Sequence, residues 1–251
     1  MRLEDQLTRL GVQAPETVKE GVLLGTGLAD GYRPFNSPIG AVIVTFNTEG
    51  VSSVDLADED APRRFLDRFG RPLIPSDPPP GWETLIQNAI ERGAPGRLPV
   101  DLRSVTDFQH RVLSQAARIP KGQVRPYLWL AHRVGRPHAV RAVGSTMARN
   151  PIPLIIPCHR VVRSDGRIGA YSLGGPHNKV RLLRSEGTNP EWLEDLARRG
   201  VRYVGSDTTG IFCHPTCANA RHITDRHRHE FRTRSEAEQA GYRSCEVCQP
   251  V

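Results

Sequence analysis

The period of the apolar positions changes along the chain, and each change marks a different kind of element. The run Ala41-Val42-Ile43-Val44-Thr45-Phe46, the turn-forming Asn47-Thr48-Glu49-Gly50 and the run Val51-Ser52-Ser53-Val54-Asp55-Leu56 predict a β-hairpin over residues 40–56. Before it, a helix is expected from Ala14 to about Leu24, followed by a glycine-interrupted stretch. Ala61 to Phe69 and Trp82 to Arg92 read as helices, separated by Pro72 to Pro80, whose five prolines predict an irregular loop.

From Asp101 onward helical spacing dominates. Phe108, Val112, Leu113 and Ala116 share one face of a helix that stops near Pro120-Lys121-Gly122. Pro126 opens a further helix, Tyr127 to Val134; Gly135-Arg136-Pro137 breaks it, and His138 to Arg149 is the next. Two helices joined by a glycine-bearing turn, the second rich in arginine, form a helix-turn-helix candidate. Leu154 to Pro157 then brings the backbone out of a buried environment and delivers Cys158 at an element end, with Ile156 held extended by the following proline. Ser164-Asp165-Gly166 is a turn, Gly169 to Gly175 a glycine-rich loop, and Asn178 to Ser185 a helix closed by Glu186-Gly187. Within the small domain that ends the chain, Ser235 to Glu238 has the spacing of a capping box, and Gly241 suits the end of that helix. The expected division is an N-terminal segment 1–36, an α/β part 37–100, a helical part 101–187, a linker 188–200 with a short helix, and a small domain 201–251.

Composition narrows the class. In 251 residues, 38% hydrophobic positions suffice for real cores. No window approaches the roughly 18 consecutive apolar residues of a membrane span, and the start, Met1 to Gln6, has no apolar stretch suited to a signal peptide, so a cytoplasmic protein with no membrane partner is expected. The formal charge of +7 is unevenly spread. Residues 1–100 carry 10 basic and 14 acidic side chains, residues 101–187 carry 15 and 4, and residues 188–251 carry 9 and 9. The whole surplus therefore lies around Cys158, the electrostatic footprint of a polyanion partner, nucleic acid first.

Two groups of residues carry chemistry. Cys158 is followed by His159 within this basic segment, and cationic neighbours or an imidazole lower a thiol's pKa from about 8.5 into the nucleophilic range. A buried, inert cysteine is the competing reading. Cys213 and Cys217, then Cys245 and Cys248, supply four thiolates in two close pairs, the ligand set of tetrahedral zinc, against the alternatives of two disulfides or four unconnected thiols. A domain of some 50 residues gains from the metal the folding energy its small core lacks. His214, His222, His227 and His229 are then surface or DNA-facing groups.

With Arg141-Ala142-Val143-Gly144, Asn150-Pro151, Pro157-Cys158-His159-Arg160-Val161 and Leu182-Leu183-Arg184-Ser185-Glu186-Gly187 in this order, residues 101–187 resemble the O6-alkylguanine-DNA alkyltransferases. Residues 37–56 look like that family's N-terminal half, which implies an RNase H-like fold. Through Thr208 to Cys213, Cys217, Gly241 to Cys245 and Cys248-Gln249-Pro250, residues 201–250 resemble the Ada-type zinc domain. The resemblance implies DNA repair by direct reversal. Cys158 takes an alkyl group from O6 of guanine, and also from O4 of thymine, in double-stranded alkylated DNA, irreversibly and once per molecule, with no methyl-donor cofactor. It further implies a relay from Cys158 through a bound water to His159 and Glu186, and a turn fixed by Asn150. Arg141 enters the base stack to flip the nucleotide out, Tyr127 crowds the phosphate and protonates the leaving base, and Tyr171 and Ser172 line the base pocket. In the zinc domain it implies one Zn2+ ion, a second methyl transfer from phosphotriesters to Cys213, and DNA contacts from Thr209, Arg221 and Arg243. A monomer held at the nucleoid through DNA is expected. Pro126 stands where many members have serine, His214 where an arginine is common, and the order of the two units is reversed relative to Ada. The rival readings are a non-catalytic sensor of alkylated DNA and a cysteine hydrolase.

Overall fold

The computed structural model describes residues 15–251. The predicted start of the first helix at Ala14 falls outside them, and the observed helix is α1, Glu16–Gly25. A four-stranded sheet follows from β1 (Asp30–Ser37), β2 (Gly40–Phe46) and β3 (Val51–Leu56), then α2 (Ala61–Phe69) and β4 (Leu73–Pro75), in the order β3-β2-β1-β4. β1 pairs antiparallel with β2 and β2 with β3, the latter with a bulge at Thr45/Phe46, while β4 runs parallel to β1. Two expectations are corrected here. The strand β1 crosses the boundary drawn at residue 36, because its alternation is broken by Gly31 and Pro34 and left no strand signature. Three residues of the proline-rich segment are regular, since an edge strand tolerates a missing N–H. The predicted hairpin is β2–β3.

α3 (Trp82–Arg92) packs Ile86, Ala89 and Ile90 against the sheet. Residues 99–101 then run alongside β3, where Val51 N donates to the Pro99 carbonyl at 2.9 Å and Asp101 N to the Val51 carbonyl at 2.8 Å. Gly50 permits this close approach: at φ +155° a Cβ would come within 2.7 Å of the Pro99 backbone. One hydrophobic cluster therefore continues from Val42, Val44 and Val54 of the sheet into Val112 and Leu113 of α4 (Asp107–Ala116), across residue 100. A capping box between Thr106 and Gln109 opens α4.

The short strand β5 (Arg125–Pro126) leads directly into α5 (Tyr127–Arg133), and α6 (Val140–Ala148) follows after a six-residue connection containing Gly135. β5 pairs in parallel with β6 (Val161–Val162), which follows the 3-10 turn Cys158–Arg160. That pairing brings the start of α5 to the cysteine. α7 (Gly175–Ser185) begins three residues earlier than expected. α8 (Pro190–Arg199) is the short helix expected within the linker, and it buries Leu193, Leu196 and Ala197, so the segment is a packed element and not a free spacer.

The C-terminal module is a second four-stranded sheet, β10-β8-β7-β9, from β7 (Tyr203–Ser206), β8 (Ile211–Cys213), β9 (Arg228–Phe231), α9 (Arg234–Gln239) and β10 (Arg243–Ser244). The cap of α9 is Thr233, whose Oγ1 accepts from Glu236 N at 3.1 Å, while Glu236 Oε2 accepts from Arg232 N. The expected capping box at Ser235 thus sits two residues too late, because Thr233 and Glu236 satisfy the same spacing. No helix among the described residues is long and apolar enough to cross a membrane.

Candidate active site and metal centre

The segment before Cys158 does not emerge from the interior as expected: residues 150–162 are all buried. Asn150 organises it, donating from Nδ2 to the Ile156 carbonyl at 2.8 Å and accepting from Ile152 N at 3.0 Å. Leu154 is held at φ +71°, a left-handed conformation costly for a leucine and maintained by complete burial of its side chain. The turn that results places Cys158 at 4% exposure in the core between the sheet-bearing half and the helices.

His159 Nε2 lies 2.9 Å from Glu186 Oε1. A carboxylate only accepts, so Nε2 carries the proton and Nδ1 presents its lone pair. Nδ1 is buried without a protein partner. Burial pulls the imidazole below its ordinary pKa of 6.5, against the opposing pull of Glu186, so it stands neutral and ready to take a proton. Burial alone would raise the Glu186 carboxyl, but hydrogen bonds from His159 and Arg160 outweigh it and hold the group at about 2.

Arg160 was missed as a site residue. It is 1% exposed and closes the site from behind: Nε donates to Glu186 Oε2 at 2.9 Å and Nη2 to Oε1 at 2.6 Å. Its remaining donors reach the carbonyls of Arg92, Gly93 and Ile119 at 2.7 to 2.9 Å. Gly93, at φ +59°, is open for this reason, since a Cβ there would lie 2.2 Å from Nη2. Lys179, fully buried, was missed as well; its Nζ donates to the carbonyls of Val161 and Ile168 at 2.6 and 2.7 Å, and burial brings its pKa down to about 8. Both sit in a segment whose cations were all read as facing a polyanion. With Arg125 at 3% exposure, three of those cations are interior, and no one-dimensional charge count separates them from surface ones.

The expectation of a lowered thiol pKa is overturned. Burial pushes Cys158 up, and the Asn150 hydrogen bond and the Lys179 charge only partly offset it. The resting group is a protonated thiol beside a neutral base. Tyr127, first residue of α5, is raised by burial and by its proximity to Cys158, so its hydroxyl stays a proton donor. Tyr171 stands edge-on to His159 with ring centroids 6.3 Å apart, its buried hydroxyl without a partner. Ser172 is exposed and lines, with Asn150 and Pro153, a cleft of about 370 Å³ whose walls do not include Cys158. Arg141 is exposed at the start of α6.

In the C-terminal module, the four cysteine sulfurs lie within 4.8 Å of one another, all buried. Backbone N–H of His214 points at Cys248 Sγ at 3.4 Å and Asn219 Nδ2 at Cys245 Sγ at 3.5 Å, donors that suit thiolates. Hydrogen bonds with Cys217 and Cys248 push the Cys213 thiol up, since sulfurs this close cannot all ionise without a cation among them. The donor set and its closure fit a metal such as zinc. His214 is not a surface group: it is 4% exposed, its ring 5.6 Å from that of Tyr203. Thr209, Arg221 and Arg243 are all exposed, and the Arg221 guanidinium is turned onto the Gly122 carbonyl of the other unit.

Residues 107–188 match the family model described as 6-O-methylguanine DNA methyltransferase, DNA binding domain, and residues 194–251 match the metal binding domain of Ada. The chain is 34% identical over 174 residues to the bifunctional transcriptional activator/DNA repair enzyme Ada of Escherichia coli, a match covering 66% of this chain and 48% of Ada, so it spans about half the length of that relative. It is 36% identical over 164 residues to a methylated-DNA–protein-cysteine methyltransferase of Methanosarcina barkeri, covering 63% of this chain and 98% of that one. Among solved structures, Mycobacterium tuberculosis O6-methylguanine methyltransferase superposes with a TM-score of 0.51 at 32% identity, covering 62% of this chain and 92% of that one. The M. tuberculosis OGT solved in complex with DNA superposes with a TM-score of 0.50 at 30% identity, covering 65% and 98%. A buried cysteine beside a histidine–carboxylate pair, carried on a fold shared with these proteins, places the chain in the methylated-DNA–protein-cysteine methyltransferase family.

Proposed function

We propose that this protein repairs DNA by moving an alkyl group from O6 of guanine, or O4 of thymine, in alkylated duplex DNA onto Cys158, once per molecule. The observation that carries the reading is the buried His159–Glu186–Arg160 array directly beside Cys158. The thiol proton passes through a bridging water to His159 Nδ1, and Glu186 stabilises the imidazolium. The sulfur attacks the alkyl carbon; the S–C bond forms as the C–O6 bond breaks, its electron pair remains on the base, and Tyr127 supplies the proton at N3. Lys179 stabilises the transient thiolate. Because Cys158 is buried, the nucleotide has to leave the stack, at a cost of a few kcal/mol.

Residues 127–148 are read as a helix-turn-helix with Arg141 inserted into the duplex, Tyr171 and Ser172 beside the base, and the sheet-bearing half as RNase H-like. One Zn2+ held by Cys213, Cys217, Cys245 and Cys248 would organise their loops and keep the sulfurs deprotonated. Cys213 is read as acceptor of a phosphotriester methyl group, with Thr209 and Arg243 on the DNA; its 1% exposure is no objection, since Cys158 is nearly as buried. The protein acts as a monomer in the cytoplasm, at the nucleoid. The test is intact mass after incubation with O6-methylguanine duplex. A single methyl increment mapping to Cys158, and absent from Cys158→Ser, is expected; tight binding with unchanged mass favours the sensor reading instead. Methylphosphotriester DNA with Cys213→Ser tests the second acceptor by the same readout.

A further inference from the structure

Gly122 is the point where the two units of the chain meet the relay. Its amide donates to Glu186 Oε2 at 3.1 Å, and its carbonyl accepts from Thr188 Oγ1 at 3.0 Å and from Nη2 of Arg221 in the C-terminal module. A Cβ at Gly122, φ +74°, would lie 2.7 Å from the Glu186 carbonyl oxygen and 2.8 Å from Arg221 Nη2, so the arginine reaches over a position only glycine can occupy. The contact belongs to a continuous seam. Val124 N donates to Thr216 Oγ1 at 2.8 Å, Trp129 Nε1 to the Cys248 carbonyl at 2.9 Å, and Arg133 to Gln249 Oε1. Arg221 is itself anchored through its backbone N–H on the Cys217 carbonyl, at 3.2 Å.

Glycine rotates freely about both backbone dihedrals, so its amide and carbonyl need separate anchors before either is fixed. We infer that Arg221 is a positioning residue for alkyl transfer at Cys158: by clamping the Gly122 carbonyl it holds the Gly122 amide on Glu186, and through Glu186 the orientation of His159. A guanidinium on a carbonyl is a charge-assisted bond, stronger than the neutral one from Thr188. The resemblance put Arg221 on DNA; in this structure the side chain is exposed and its guanidinium rests on the Gly122 carbonyl.

The inference rests on Cys158 as acceptor, and the experiment separates the two. In the full chain, Arg221→Met keeps the apolar stem and removes the donors, while Arg221→Lys restores one. The single-turnover rate to Cys158 is measured at saturating O6-methylguanine duplex, and the pH midpoint of Cys158 alkylation by iodoacetamide is measured without DNA, mapped by peptide mass. R221M is expected to slow transfer about tenfold and to move the midpoint to higher pH, because a loosened His159 stabilises the thiolate less; R221K recovers both in part. An R221M protein that binds DNA more weakly but keeps the wild-type saturating rate and midpoint overturns the inference. If the wild type itself gains no methyl mass, the reading of Cys158 fails instead.

Discussion

Glu186→Gln is expected to cost about 3 to 5 kcal/mol of stability and to slow transfer to Cys158 by roughly 10²- to 10⁴-fold. The substitution preserves shape, so the effect comes from donors. The two carboxylate oxygens accept from Gly122 N, His159 Nε2, and Arg160 Nε and Nη2. An amide has only one oxygen, and whichever way it is turned its NH2 faces at least one of these donors. Arg160, 1% exposed, is also left without a countercharge. Urea unfolding together with single-turnover mass spectrometry checks this; a Gln variant with the wild-type midpoint and a rate within threefold would sink it.

The same pair sets the acid limit. Glu186 has a folded pKa of about 2 against an ordinary value of 4.5, so its contribution, about 3 kcal/mol, is complete above pH 4.5 and is lost as pH falls toward 2. His159 acts earlier and in the same sense. Its folded pKa lies below 6.5, the unfolded chain takes up the proton first, and stability declines from about pH 6.5 downward.

Removing the metal is the second large perturbation. Structural zinc contributes apparent binding energies of about 10 to 16 kcal/mol in small modules, and here the module's apolar interior beyond the cysteines is little more than Tyr203, Val204, Phe212, Ala220, Phe231 and Ala237. Chelation is expected to abolish hydrogen-exchange protection over residues 201–251 while β1–β3 and α3–α4 stay protected, since their core is separate from the cysteine cluster. Trp129 loses its bond to the Cys248 carbonyl, so its fluorescence should shift to the red as well. Protection of 201–251 that survives complete metal removal would count against a structural metal. Metal analysis should give one zinc per chain.

Much of this was legible in one dimension because it depends on local pattern. The hairpin β2–β3, the helices α2 and α3, the face of α4 and the four-cysteine cluster follow from period, turn residues and ligand spacing. β1 and the burial of α8 were not legible, because a glycine- and proline-broken strand and a short helix acquire their packing from partners distant in sequence. The motif around Cys158 named the nucleophile and its histidine, but it misjudged the state of the thiol. Proximity along the chain suggested cationic neighbours, whereas the fold buries the sulfur and turns Arg160 away from it onto Glu186.

The sequence by itself determined the chemistry on offer: a cysteine beside a histidine, four thiolates in two pairs, a basic middle segment, and the elements that carry them. Only the tertiary structure decided which cations face solvent and which are interior braces, that Glu186 is shared by His159, Arg160 and Gly122, and that Arg221 of the metal-binding module reaches this array. The reason is physical. Residue type and period fix what a side chain can do, but burial and hydrogen-bond partners, which set its charge and orientation, come from segments that meet only when the chain is folded.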